Sequence, residues 1–155
     1  MKLTIYTLNL RGLNDPAKAT RLRNYIQNLQ PAPHILMLQE HKLTGDKAAA
    51  FGRQLIPNST YLFTAARPGY GNGDRGSRAG RGGTAIIMRN SLDRFVINLG
   101  SIYQGRDLWI VLGNIAGNSW GFLNVYSPND AQDRKKFWES ISENLPLQLP
   151  LADRW

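Results

Sequence analysis

Two β-forming stretches with one helical period between them constrain this chain more than any other feature. Residues 3–9 are rich in Leu, Thr, Ile and Tyr and carry apolar side chains on both faces, the pattern of a strand covered on two sides. Residues 34–39, HILMLQ, form a compact apolar run that stops at Glu40. Between them, Asp15 is placed to cap a helix, and Pro16 follows at the first helical position, where its missing N–H is harmless. Ala19, Leu22, Ile26 and Leu29 then recur at helical spacing, while Lys18, Arg21, Arg23 and Asn28 fall elsewhere on the wheel. Strand, helix and strand in that order predict a parallel βαβ unit and an α/β fold.

Downstream, residues 45–55 read as a second short helix and residues 61–64 as a weak strand. Residues 67–83, RPGYGNGDRGSRAGRGG, hold seven of the chain's 15 glycines and four arginines against one aspartate. Nothing there can build a core, so a long flexible loop is expected. TAIIM, FVINLG, DLWIVLGNI and WGFLNVY follow in succession and predict a four-stranded antiparallel meander. The last runs through YSPND into a helix, with Asp130 near its start and Phe137, Trp138, Ile141 and Leu145 on one face. The tail PLQLPLADRW is apolar up to Trp155, either docked on the core or leading toward another strand. A single domain over residues 1–155, without internal repeats, accommodates all of this.

Composition narrows the chemistry. At 155 residues and 17.4 kDa the chain can bury a sizeable core without staples. It has no cysteine, which excludes disulfides, thiolate zinc sites and cysteine nucleophiles. Its two histidines, His34 and His41, cannot make a three-histidine metal site. G-x-S-x-G, Walker A and H-E-x-x-H patterns are absent. The net charge of +8 favours a polyanionic partner. No run approaches the ~18 apolar residues of a membrane span, and MKLTIYTLNL is too often interrupted by Thr and Asn for a signal peptide. An intracellular protein without a membrane partner is expected, with a nuclear location compatible.

Polar groups stand where β-type segments end: Asn9, Glu40, and Tyr126 with Asn129. In open α/β sheets ligands bind beyond strand ends, so their convergence is reasonable geometry. Glu40 must reach solvent at the rim, pair with a base, or bind a cation, because burial without a partner is costly. Mg²⁺ needs only one or two carboxylates, the rest of its shell being water and phosphate oxygen. Asn9 can orient that carboxylate or simply form a turn. Tyr126 and Asn129 offer donors to a phosphate, and YSPND also fits a turn with a helix cap. His41 is a possible base, yet neighbours at a strand end point to opposite sides. His34 reads as the residue that starts its strand. Arg11, with Arg75, Arg78 and Arg81 of the Gly/Arg loop, can follow a nucleic-acid backbone or form a solvated surface.

Taken together the motifs resemble the endonuclease/exonuclease/phosphatase superfamily. TLNLRGL resembles its opening strand with the metal-site asparagine, here Asn9. ILMLQEHK resembles the strand ending in the metal-binding glutamate, here Glu40, with His41 where a small or hydroxyl residue is more usual. RGGTAIIMR is similar to the glycine-containing strand after the first variable loop, and NVYSPND to the segment with the phosphate-contacting Tyr126 and Asn129. The resemblance implies a DNase I-like α/β sandwich of two packed mixed β-sheets flanked by helices, here incomplete at the C-terminus. It also implies Mg²⁺ or Mn²⁺ as cofactor.

Within the superfamily, RGL, QEHKLTGD and DRKKFWESISENLP look most like the endonuclease domains of non-LTR retrotransposons. That likeness implies hydrolytic nicking of DNA, with RNA as a further partner, alongside the rest of the domain or a fused reverse transcriptase. The family's water-activating aspartate and its neighbouring asparagine, in a Gly-Asp-Phe-Asn strand, and its Asp-His pair are not matched here; the resemblance therefore implies a chain weakly active or inactive alone. Competing readings are a non-catalytic nucleic-acid-binding remnant, and a superfamily member acting on a phosphoinositide, a phospholipid or RNA.

Overall fold

The structure is a computed structural model that describes residues 2–66, 82–148 and 152–155. The chain opens with strand β1 (Ile5–Asn9), helix α1 (Pro16–Gln27) and strand β2 (Ile35–Gln39), and β1 pairs with β2 in parallel, as the βαβ reading requires. Asp15 caps α1, its Oδ1 accepting from the Ala17 N–H at 2.9 Å, and Pro16 occupies the first turn. His34 ties the two strands at their start: its Nδ1 accepts from the Thr4 N–H at 3.1 Å. Helix α2 (Gly45–Leu55) and strand β3 (Ser59–Thr64) follow, the strand two residues longer than the sequence suggests.

Strand β4 (Thr84–Arg89) corrects the expected meander. It lies in the first sheet, antiparallel to both β2 and β3, in the order β1-β2-β4-β3. Thr84 to Met88 are all buried, which suits a central strand covered on both faces. A six-residue 3-10 helix, Asn90–Phe95, then carries the chain to a second sheet. There β5 (Val96–Gly100), β6 (Asp107–Ile115) and β7 (Asn118–Val125) form a three-stranded antiparallel meander.

The sheets pack face to face, β7 against β2 and β4, and β6 against β4 and β3. One apolar cluster, including Ile35, Ile86, Met88, Ile110 and Leu112, fills the space between them. Another, including Ile26, Leu36, Leu38, Leu55 and Ile87, lies between the first sheet and α1 and α2. The second sheet does not cover β1. Ile5, Thr7 and Asn9 are therefore exposed while Tyr6 and Leu8 pack inward, so β1 is covered on one face, not two.

Helix α3 (Ala131–Gln148) closes the described fold. Its Phe137 and Ile141 are buried, and Phe137 meets Tyr103 edge-on at 5.7 Å. Trp138 departs from the expected apolar face and is 45% exposed, its ring edge-on to Phe137. At the tail, Arg154 forms a parallel bridge with Trp120 of β7, and the Trp155 ring lies over Gly121, where no side chain would fit.

Candidate functional site

The C-terminal end of β2, the C-terminal end of β7 and the segment just before β6 meet at one rim of the sandwich. This follows from register: β6 runs antiparallel to β7 with Asp107 opposite Val125, so the residue before β6 stands beside the residue after β7. Those residues are Arg106 and Tyr126. The Tyr126 N–H donates to the Arg106 carbonyl at 2.7 Å, and the Arg106 guanidinium sits 5.1 Å over the Tyr126 ring. Together with Glu40, Lys42, Asn129, Asp130 and Asp133 they line a cavity of about 260 Å³. A larger hollow of about 440 Å³ lies at the opposite ends of the strands, near Pro33 and Arg89, and no acidic or histidine side chain lines it.

Glu40 occupies a strained backbone position. Its φ is +56°, a left-handed conformation that glutamate rarely adopts, and Arg11 and Lys42 nearby are also left-handed at +49° and +58°. The strain is held by backbone bonds. The Gly12 N–H donates to the Glu40 carbonyl at 2.7 Å, and the His41 and Lys42 N–H groups donate to the Gly83 and Gly82 carbonyls at 3.3 and 3.0 Å. The turn aims the Glu40 carboxylate into the cavity, where the Lys42 ammonium lies 3.1 Å away. Tyr126 hydrogen-bonds the same carboxylate. Burial, then the Glu40 charge and this bond, push the phenol up, while Arg106 and Lys42 oppose the shift.

His41 faces the other way. It is 1% exposed, its Nδ1 accepts from the Leu43 N–H at 3.0 Å, and its Nε2 meets the Thr64 carbonyl at 3.2 Å. Burial lowers its pKa to about 4 against the opposing pull of the Thr64 and Thr84 backbone bonds. It braces the floor of the site and has no open face toward the cavity. Gly83 makes room for it: at φ +89°, an added Cβ would lie 2.4 Å from the imidazole.

The structure thus brings Glu40, Tyr126 and Asn129 to one cavity. Asn129 is solvent-exposed, and its carbonyl accepts from the Arg134 guanidinium at 3.1 Å. Asp130 caps α3, accepting from the Gln132 and Asp133 N–H groups. Asn9 and Arg11 are not part of the cavity wall; Asn9 Oδ1 accepts from the Arg11 N–H at 3.1 Å, the turn-forming role. Arg75, Arg78 and Arg81 lie outside the described residues. Arg106 and Lys42 escaped the sequence reading. The hairpin register was the signal for Arg106, since it alone sets that residue opposite Tyr126.

Residues 6–155 match the Endonuclease/Exonuclease/phosphatase family. The chain belongs to that family. Among solved structures, the AP endonuclease LMAP of Leishmania major is similar at TM-score 0.59 and 20% identity, covering 91% of this chain and 45% of that one. The APE2 catalytic domain of Xenopus laevis is similar at 0.55 and 18%, covering 93% and 51%. The 3′–5′ exonuclease NExo of Neisseria meningitidis is similar at 0.57 and 20%, covering 94% and 51%. The fold is therefore the family's α/β sandwich of two sheets, and the chain spans about half the length of these structures. No curated protein matches the chain.

The endonuclease/exonuclease/phosphatase family typically uses a divalent metal, and the donor chemistry at this rim fits one. Glu40 supplies a half-buried carboxylate already facing a cation, the Lys42 ammonium, and the other candidate ligands are oxygen atoms suited to Mg²⁺ or Mn²⁺. Among the described residues no group of three or more acidic or histidine side chains forms a metal cage, so water and phosphate oxygens would complete the shell.

Proposed function

We propose that this rim is part of a divalent-metal-dependent phosphodiesterase site that hydrolyses the DNA backbone, of the type found in retroelement endonucleases. The observation that carries the reading is the convergence of Glu40, Tyr126 and Arg106 from three separate chain segments on one cavity. Glu40 would hold the metal, with Asn9 supporting its turn. The metal, when bound, supplies Lewis-acid stabilisation of charge on the phosphate.

The chain's own residues do the rest. The Arg106 guanidinium, held over Tyr126 at the cavity, would pair with a non-bridging phosphate oxygen. The Tyr126 hydroxyl hydrogen-bonds Glu40, and a metal held by that carboxylate would leave the same donor for a phosphate oxygen. Lys42 balances the Glu40 charge. Asn129 adds an amide donor at the exposed lip. His41 takes no part in proton transfer, because both ring nitrogens are committed and the ring is buried.

Support for the retroelement type comes from the RGL, QEHKLTGD and DRKKFWESISENLP segments. Plasmid nicking in Mg²⁺ tests the assignment: weak or absent nicking by the chain alone is expected, with any nicking lost in Glu40→Ala. Nicking that survives Glu40→Ala sinks the assignment. The +8 net charge also favours a second reading, nucleic-acid binding without metal chemistry. Salt-dependent DNA binding that is indifferent to Mg²⁺ and to Glu40→Ala would select it.

A further inference from the structure

The interface between the two sheets is mostly apolar among the described residues, with a polar Thr64–Thr84 pair near Asp107 and a larger polar network around Asn124. Just beneath the rim, Asn124 of β7 is 1% exposed and reaches across to the first sheet. Its Nδ2 donates to the carbonyls of Leu38 on β2 and Ala85 on β4, at 3.0 and 2.8 Å. Its Oδ1 accepts from Gln39 Nε2 at 2.5 Å, and the same Gln39 amide donates to Thr7 Oγ1 on β1 at 2.8 Å. Both amide nitrogens thus use both of their hydrogens, and four strands are joined.

The placement is systematic. Thr7 lies two residues before Asn9, Gln39 directly before Glu40, and Asn124 two residues before Tyr126. The strands that end at Glu40 and Tyr126, and β1 beside them, are therefore tied together one or two residues below the rim. Apolar contacts alone would fix this alignment poorly. The contacts among Ile35, Met37, Ile110 and Leu112 carry no direction of their own. Directional bonds from a buried amide cannot shift without leaving donors and acceptors unpaired.

We infer that Thr7, Gln39 and Asn124 form a positioning layer that locks the ends of β1, β2 and β7 in one register, so that Glu40 and Tyr126 meet before any ligand arrives. Its consequence for metal and phosphate binding rests on the reading of Glu40 and Tyr126 given above.

Two measurements on the full chain test it. Amide hydrogen exchange at His41 and Tyr126 reports the strand ends, because their N–H groups bond to Gly83 and Arg106 across the rim. Mn²⁺ affinity, read by electron paramagnetic resonance, reports the ligand geometry. Asn124→Leu keeps the volume and removes the bonds. It is expected to speed exchange at both amides relative to the centre of β2 and to weaken Mn²⁺ binding about tenfold or more, as loss of a ligand's supporting partner does. Thr7 is exposed, so Thr7→Val should fold even if Asn124→Leu does not; it should show the same changes in smaller measure, and Thr7→Ser should restore them.

Leu92→Ala, a cavity elsewhere in the inter-sheet core, is the control: it should raise exchange broadly and leave Mn²⁺ affinity unchanged. If the layer variants behave like Leu92→Ala, the positioning role is wrong. If Mn²⁺ binding ignores Glu40→Ala, the metal-site reading fails instead, and the exchange pattern still decides whether the layer aligns the strand ends.

Discussion

At the scale of single residues, His41 shows how adjacent positions in the sequence can have opposite duties. Glu40 faces the cavity and His41 the core, with a left-handed φ at Glu40 just past the end of β2. The neutral imidazole accepts from Leu43 at Nδ1 and donates at Nε2 toward Thr64; a second proton on Nδ1 would face the Leu43 N–H. Its folded pKa of about 4 lies below the unfolded 6.5, so between those values the unfolded chain binds more protons. Stability therefore falls as pH drops from about 6.5 toward 4, by up to about 3 kcal/mol from this group alone. Urea unfolding across that range checks it: His41→Leu should be less stable at pH 7, with a flatter pH dependence than the parent. Gly83→Ala should be damaging at every pH, by roughly 2 kcal/mol or more, because it combines a left-handed φ with a Cβ inside the imidazole's space. Neither effect depends on any ligand.

Among the elements, the segment between β5 and β6 joins most parts of the site. Asp107, fully buried, accepts from the Ser101 hydroxyl and from the Ile102 and Tyr103 N–H groups. Burial raises its pKa, and those bonds oppose the rise. The folded segment sets Arg106 over Tyr126 and lets the Gly105 carbonyl accept from the Gly83 N–H at 2.8 Å. Asp107→Ala would leave these donors without their acceptor and should destabilise by about 2–4 kcal/mol, measured by thermal unfolding. It should also loosen Arg106, visible as a changed Tyr126 ring environment by NMR. The sequence shows Asp107 only as the first residue of a strand; its role comes from a turn that no periodicity announces. Strand β4 departs from the expected meander for a related reason. TAIIM reads as a strand from composition, but its neighbours in space, β2 and β3, come from the other side of the Gly/Arg-rich segment. Sequence order therefore suggested pairing with β5, which the 3-10 helix at 90–95 instead diverts into another sheet.

For the whole molecule, the legible parts are those that local chemistry dictates: the capped α1, the parallel β1–β2 pair, and the polar residues that end β2 and β7. Arg106, Lys42 and the Thr7–Gln39–Asn124 layer depend on pairing register and sheet stacking, which residue types do not encode locally. The uncovered face of β1, with Ile5, Thr7 and Asn9, is similar, since the strand's composition matches one covered on both faces but the second sheet reaches only as far as β2. Charge is the property that extends over the full chain, and it yields a quantitative expectation. With +8 overall and Arg106, Lys42 and Arg134 in or beside the site, the proposed DNA binding should weaken steeply with salt. Each phosphate neutralised contributes about −0.9 to the slope of log K against log salt concentration on duplex DNA. Arg106→Ala should then reduce the magnitude of that slope by about 1 and weaken binding about equally across DNA sequences, as a phosphate contact does. Arg21→Ala is the comparison: on α1 its guanidinium lies 3.8 Å from Asp15, so it should leave the slope nearly unchanged. Fluorescence anisotropy with a short duplex over a salt series measures both variants. Equal slopes for Arg106→Ala and the parent would remove Arg106 from the phosphate path and leave the cavity without its proposed anion partner.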